Sequence, residues 1–302
     1  MKTFLTLIFI LPTLQAGSFP GAAGSSGSDA ISKDSTAFVA WANNHLTPSY
    51  GSGVDAVWRT PVKAHGPATT NTGDIVCLGN GGEIIMTFPR PIRDGAGPDF
   101  AVFENSFANT FLELAFVEVS SDGIHFFRFP NRSEGTNLVG AFGAVNPTTL
   151  DGLAGKHRIG FGTGFDLAEL PISPLLDTGQ IRFVKISDII GNGSIFDSTG
   201  APIYDPTPTT GSGGFDLEAI GVIHQNENQF KVLQAEIVAT TFVLAWESNP
   251  GSSYRIETST QLNDDWTSLG VFIGDPQLGQ TTQVLDLITP ERRFWRVAWL
   301  AP

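Results

Sequence analysis

The stretch "LELAFVEVSSDGIHFFRF", residues 112–129, decides the fold class. Side chains alternate across a strand, so Leu112, Leu114, Phe116 and Glu118 share one face, and Glu113, Ala115, Val117 and Val119 share the other. Both faces are largely apolar, as expected of a strand with a second sheet on one side and loops on the other. Asp122-Gly123 then supplies a tight turn, and an apolar run resumes in "HFFRF". Two such strands joined by a short turn make an antiparallel hairpin.

Similar runs lie on either side. "EIIMTF" (83–88), "DFAVFE" (99–104) and "IRFVKISDII" (181–190) are rich in β-branched and aromatic residues and are bounded by turn-forming sequence. Gly 34 and Pro 19, with 16% charged residues, describe a folded, turn-rich chain. Phe 23 against Tyr 3 makes the aromatic content mostly core-filling. Spacing and composition together predict an all-β protein whose main part, residues 36–224, is a β-sandwich. One segment reads differently. In "STAFVAWANNHLTP", Phe38, Trp41 and His45 recur at helical spacing, Ser35 can cap and Pro48 stops the run, which predicts one short N-terminal helix. Asp166 and Glu169 in "FDLAEL" have the spacing of a cap on a second short helix. Residues 191–214 form a long loop rich in Gly, Pro and Asp.

After His224, "QNENQ" introduces another unit. "TFVLAWES", "SYRIETST" and "RFWRVAWL" alternate, with Phe242, Leu244 and Trp246 on one face and Trp295, Val297 and Trp299 on one face. Residues 230–302 are thus expected to form a small antiparallel sandwich, and a chain of 302 residues has the length of about two domains.

The first sixteen residues carry Lys2 followed by an apolar core too short to span a bilayer, the pattern of a secretory signal peptide. Residues 17–35 are rich in Gly, Ser and Ala and read as a flexible leader. No later segment has ~18 consecutive apolar residues, so the expected mature chain has no transmembrane segment and is secreted or held at the cell surface. A net charge of −13 argues against a nucleic-acid partner, which needs basic surface. Cys77 is the only cysteine, so no intramolecular disulfide forms, and its apolar setting reads as a buried small hydrophobe.

Two likenesses rest on these residues, and a third on the end of the chain. "LELAFVEVSSDGIHFFRF", "IRFVKISDI" and "DLEAIGV" resemble the strands of discoidin-like, galactose-binding-like jelly rolls. "CLGNGGEIIMTFPRPIRDGAGPDFAVFEN", "LAGKH", "GFDLAEL" and "GGFDLEAIGV" are similar to a group of exported bacterial cell-surface proteins, which often carry sorting signals of the PEP-CTERM type. "NPGSSYRIETSTQLNDDWTSLG" and "RFWRVAW" resemble a small β-domain common at the ends of secreted bacterial proteins. The first likeness implies a jelly roll. None of the three implies a known catalytic activity.

Residue patterns argue against an enzyme. The five histidines lack H-E-x-x-H spacing, "GFGTGFD" lacks the Lys-Ser/Thr of a phosphate loop, and there is no G-x-S-x-G elbow. A glycosidase needs only two acids, which no motif search excludes. Calcium is the better-motivated ion, because Asp- and Gly-rich loops supply the oxygens that a hard cation takes. The acids considered are Asp99, Glu104, Asp188, Asp197, Asp205, Asp216 and Glu218, with Glu104, Asp188, Asp216 and Glu218 as the expected metal ligands. Asp99 and Glu104 lie five residues and about 16 Å apart on opposite faces of a strand, and cannot share an ion without a bulge. Asp216 and Glu218 are two apart and share a face. Glu218 also stands where the likeness to discoidin-like domains implies a calcium-binding acid. Glu104, on the face of Phe100 and Val102, joins a metal site only if it meets an acid of "FDLEAIGV". For a carbohydrate partner, the loop aromatics Tyr50, Trp58, Phe196 and Tyr204 are the expected stacking platforms; each serves equally well as a plug at the sandwich end. The resulting expectation is a non-catalytic surface protein that binds carbohydrate or another surface component with calcium as a structural ion. Its rivals are an architectural envelope protein and a polysaccharide-acting enzyme.

Overall fold

The computed structural model describes residues 17–226, 232–238, 241–248, 252–261, 266–274, 280–286 and 294–300. The expected signal peptide, residues 1–16, and most of the "QNENQ" linker lie outside them. In chain order the first fifteen strands are β1 (Ile31–Ser32), β2 (Ala40–Trp41), β3 (Asn44–His45), β4 (Val76–Cys77), β5 (Glu83–Ile92), β6 (Phe100–Glu104), β7 (Ala115–Ser120), β8 (Phe127–Arg128), β9 (Arg132–Ser133), β10 (Leu150–Asp151), β11 (Phe161–Phe165), β12 (Ile181–Asp188), β13 (Asn192–Phe196), β14 (Pro202–Tyr204) and β15 (Asp216–Val222). One sheet runs β1-β11-β6-β15-β2, with β4 also on β15, and the other runs β3-β5-β12-β7-β8. Their central strands, β4-β15-β6-β11 and β5-β12-β7-β8, exchange sheets in the order of a double Greek key, which makes the sandwich a jelly roll.

The 112–129 stretch forms as its pattern requires. Ala115, Val117 and Val119 enter the main core, together with Phe100, Val102, Val184, Ile186 and Leu217 from the other strands. Leu112, Leu114 and Phe116 point outward into a second cluster, where Val145, Leu150, Leu153, Ile189 and Ile203 of the following loops cover them. Gly123 makes the turn at φ +77, a conformation that strongly favours glycine, while Asp122 Oδ1 accepts from the backbone N–H of Ile124 and His125.

Residues 35–48 are extended rather than helical. β2 pairs with β15 in one sheet and β3 with β5 in the other, so this stretch carries the chain between sheets. Its apparent helical spacing arises because Phe38 and Trp41 both pack on the outer face of β6, against Phe103. The described helical segments are four 3-10 turns, at Ala56–Trp58, Pro61–Ala64, Pro147–Thr149 and Leu167–Glu169. At the last of these, Asp166 accepts from Ala168 N–H as the sequence suggests.

The Gly/Ser-rich leader is docked. Phe19 N–H donates to Thr148 O, β1 pairs with β11, and Asp29 meets the buried Lys156 and His157 at 2.8 and 3.0 Å. The sandwich therefore begins before residue 36. The last six strands, β16 (Val232–Val238), β17 (Thr241–Glu247), β18 (Ser253–Ser259), β19 (Thr267–Ile273), β20 (Gln280–Asp286) and β21 (Phe294–Leu300), make two three-stranded sheets. Phe242, Leu244, Trp246, Tyr254 and Ile256 form their core, and Phe242 stacks on Trp295 at 4.2 Å between ring centroids. No described helix is long and apolar enough to cross a membrane.

Candidate functional site

β6 ends at Glu104 on one sheet, and β7 is preceded by Glu113 on the other. Alternation places Glu104 on the face of Phe100 and Val102, and Glu113 on the face of Ala115 and Val117; those apolar residues all lie in the main core. Both glutamates are therefore turned inward at the same end of the sandwich. Asp216, the first residue of β15, joins them, and the three carboxylates place oxygens within 4.8 Å of one another. All three residues are buried, Glu104 at 1% exposure.

Donors around this triad are few. Glu104 Oε2 accepts from Ser106 N–H at 2.8 Å, but its Oε1 is sealed from solvent with no hydrogen-bond partner, as is Asp216 Oδ1. Glu113 bonds the Thr209 side chain, and Asp216 bonds the thiol of Cys77, its register partner on β4. Among the described residues no Lys or Arg forms a salt bridge with any of the three. Burial, reinforced by the mutual repulsion of the acids, pushes Glu104 well above the usual carboxylate range and Glu113 to about 9. Burial and the nearby Asp188 raise Asp216 to about 7. Cys77 is pushed up by burial and by Asp216, which keeps it a thiol rather than a nucleophile.

The other expected ligands place no oxygen within this triad. Glu218 does not join Asp216, because the β15–β6 register shifts between Leu217 and Ala219 and breaks the shared face. Its Oε1 instead accepts from Thr69 N–H and Thr69 Oγ1. Asp188 accepts from Gly81 and Phe215 N–H, both at 2.7 Å, and Asp205 from Leu114 N–H. Asp197 accepts from Ser133, Thr199 and Ala201 N–H and ties its own loop. Asp99, read from sequence as part of a turn, is fully buried and is held by Leu167 N–H and His224 Nδ1, each at 2.7 Å.

Glu113 and Asp216 line a cleft of about 270 Å³, with Glu104 behind them. One wall is a run of phenylalanines: Phe107 stacks on Phe111 at 4.6 Å, and Phe111 on Phe142 at 6.2 Å, with interplanar angles of 22° and 23°. Phe107 is 67% and Phe142 87% exposed. Thr209, Thr210 and Ser212 add hydroxyl-bearing positions to the lining. A larger cleft, about 510 Å³, runs along residues 134–146; one carboxylate, Glu134, and one aromatic, Tyr204, lie in its wall.

The expected stacking aromatics fall in two other places. Tyr50 and Trp58 are half-buried against Val54, Ile75 and Cys77, and plug the sandwich there. Phe196 and Tyr204 sit on the β13–β14 hairpin, Phe196 exposed and Tyr204 packed over Gly193. Sequence reasoning missed Glu113, Phe107, Phe111 and Phe142. The signal for Glu113 was present, since alternation already put it on the Ala115 face. Phe107 and Phe111 come together only because residues 105–111 fold back between β6 and β7. Compared with models of protein families the sequence matches none, and a comparison with curated proteins finds no match either.

Proposed function

We propose that this chain is an exported surface protein that binds carbohydrate, without turning it over, in the cleft between the phenylalanine wall and the acidic floor. The observation that carries this reading is the pairing of exposed, mutually stacked rings with buried carboxylates in one concavity. A pyranose has an apolar C–H face and a polar rim, and a flat aromatic wall beside hydroxyls and acids complements both. Exposed rings of this size are costly on a soluble surface unless something covers them. The test is a glycan panel read by array and then by calorimetry. Binding to a glycan class that falls at least about tenfold in the Phe107→Ala/Phe142→Ala double variant supports the reading. Binding to no glycan sinks it in favour of an architectural spacer.

A second reading, glycoside hydrolysis, draws on the same cleft, because Glu113 and Asp216 are two carboxylates beside a sugar-sized wall. Binding is preferred because a third acid, Glu104, crowds the pair, and burial raises both Glu113 and Asp216 so that neither stands as a fully ionised nucleophile or base at neutral pH. Release of reducing ends from the bound glycan, abolished in Glu113→Gln, would reverse that preference.

A further inference from the structure

We infer that Glu104, Glu113 and Asp216 hold a divalent cation, calcium by the character of its donors. Close acids alone would not carry this, since buried carboxylates are often ordinary structural ties. The independent observation is the inventory of donors. Glu104 Oε1 and Asp216 Oδ1 are sealed from solvent and accept from nothing, in residues 1% and 5% exposed. Most buried polar atoms are satisfied, so two orphan oxygens in one cluster call for a partner beyond the surrounding side chains. No cationic side chain among the described residues supplies it.

The chemistry selects the ion. The three carboxylates bring one oxygen each within 4.8 Å of one another, a hard-oxygen set that calcium would complete with water from the cleft toward its six to eight ligands. Cys77 is the only sulfur beside the cluster, and its hydrogen bond to Asp216 gives it the role of a donor toward that acid, not of a thiolate ligand. Access is also present, because Glu113 and Asp216 line the cleft and face its contents. Asp188 and Asp205, held by backbone N–H groups, would add negative field without ligating. The other close group of acids, Asp94, Asp99 and Asp166, has no such orphan: Asp99 is saturated and Asp94 is exposed.

This inference does not depend on the carbohydrate reading, and its test contains no sugar. The full chain is stripped with chelator and titrated by calorimetry with calcium, magnesium or zinc chloride. One calcium per chain is expected, at the sub-millimolar affinity (about 0.1–1 mM) common in extracellular sites. A hundredfold excess over Kd should raise the melting temperature by about 5 °C or more. Glu113→Gln and Asp216→Asn should each weaken calcium at least about tenfold, whereas Glu218→Gln should leave it unchanged. If those variants fail to fold, the unmodified chain still decides: no calcium heat and no thermal shift overturn the proposal and leave protons as what neutralises the triad. Zinc binding without calcium binding overturns the identity of the ion, and calcium affinity unchanged in Glu113→Gln overturns its place.

Discussion

The two ends of β6 bury one acid each, and the acids have opposite surroundings. At the start of the strand, Asp99 accepts from Leu167 N–H and pairs with His224, while its backbone carbonyl takes the N–H groups of Ile223 and His224. It knots the beginning of β6 to the end of β15. At the other end Glu104 has one donor, Ser106 N–H, and two further carboxylates for neighbours. Burial is nearly the same, 0% and 1% exposed. Burial of a carboxylate therefore does not identify a site; the count of donors does.

Mutation of the two ends should give opposite signs. Asp99→Ala leaves the buried Leu167 N–H without its acceptor and His224 without its partner, and should cost about 3 kcal/mol in urea unfolding. Calcium affinity should not change. Glu104→Gln, in chelator, relieves repulsion within the triad and should cost nothing or add up to about 1 kcal/mol. Equal losses from the two variants would show Glu104 to be a structural tie like Asp99.

Acidity sharpens the contrast. Burial raises Glu113 from 4.5 to about 9 and Asp216 from 3.8 to about 7, so between these limits the folded chain binds more protons than the unfolded one. Stability from these groups is complete below about pH 4 and is lost as pH rises through the folded values. In chelator, the stability read from urea unfolding should fall from pH 5 to pH 8.5, by several kcal/mol. Calcium should flatten that slope, because the ion replaces protons as the neutralising charge. Stability that rises over this range would mean that the acids are not packed together as described.

The fold was legible where alternation ran long enough. Residues 112–129 revealed both faces of β7 correctly, because each face met a real apolar surface, the inner sheet and the loop cover. Residues 35–48 misled, since a spacing of three is also produced by two aromatics resting on one sheet face. The site was half legible. Glu104 and Asp216 were expected and do meet, one from each of two paired strands. Glu218 was expected beside Asp216, but a register shift cannot be seen in a two-residue spacing. The phenylalanine wall depends on residues 107, 111 and 142, which only the folded loops bring together.

The smallest expected effects separate the two exposed phenylalanines. Phe142 is 87% exposed at the cleft, and Phe196 is 56% exposed on the β13–β14 hairpin. Neither side chain fills a core, so either change to Ala should alter stability by less than about 0.5 kcal/mol. Their effects on glycan affinity should nevertheless differ. Phe142→Ala removes one ring of the wall and should weaken binding about tenfold, a loss of about 1.4 kcal/mol, with calcium affinity unchanged. Phe196→Ala should leave glycan binding as it was. A loss in Phe196→Ala with none in Phe142→Ala would move the binding face to the hairpin, and would leave the acidic triad as an ion site with no part in carbohydrate recognition.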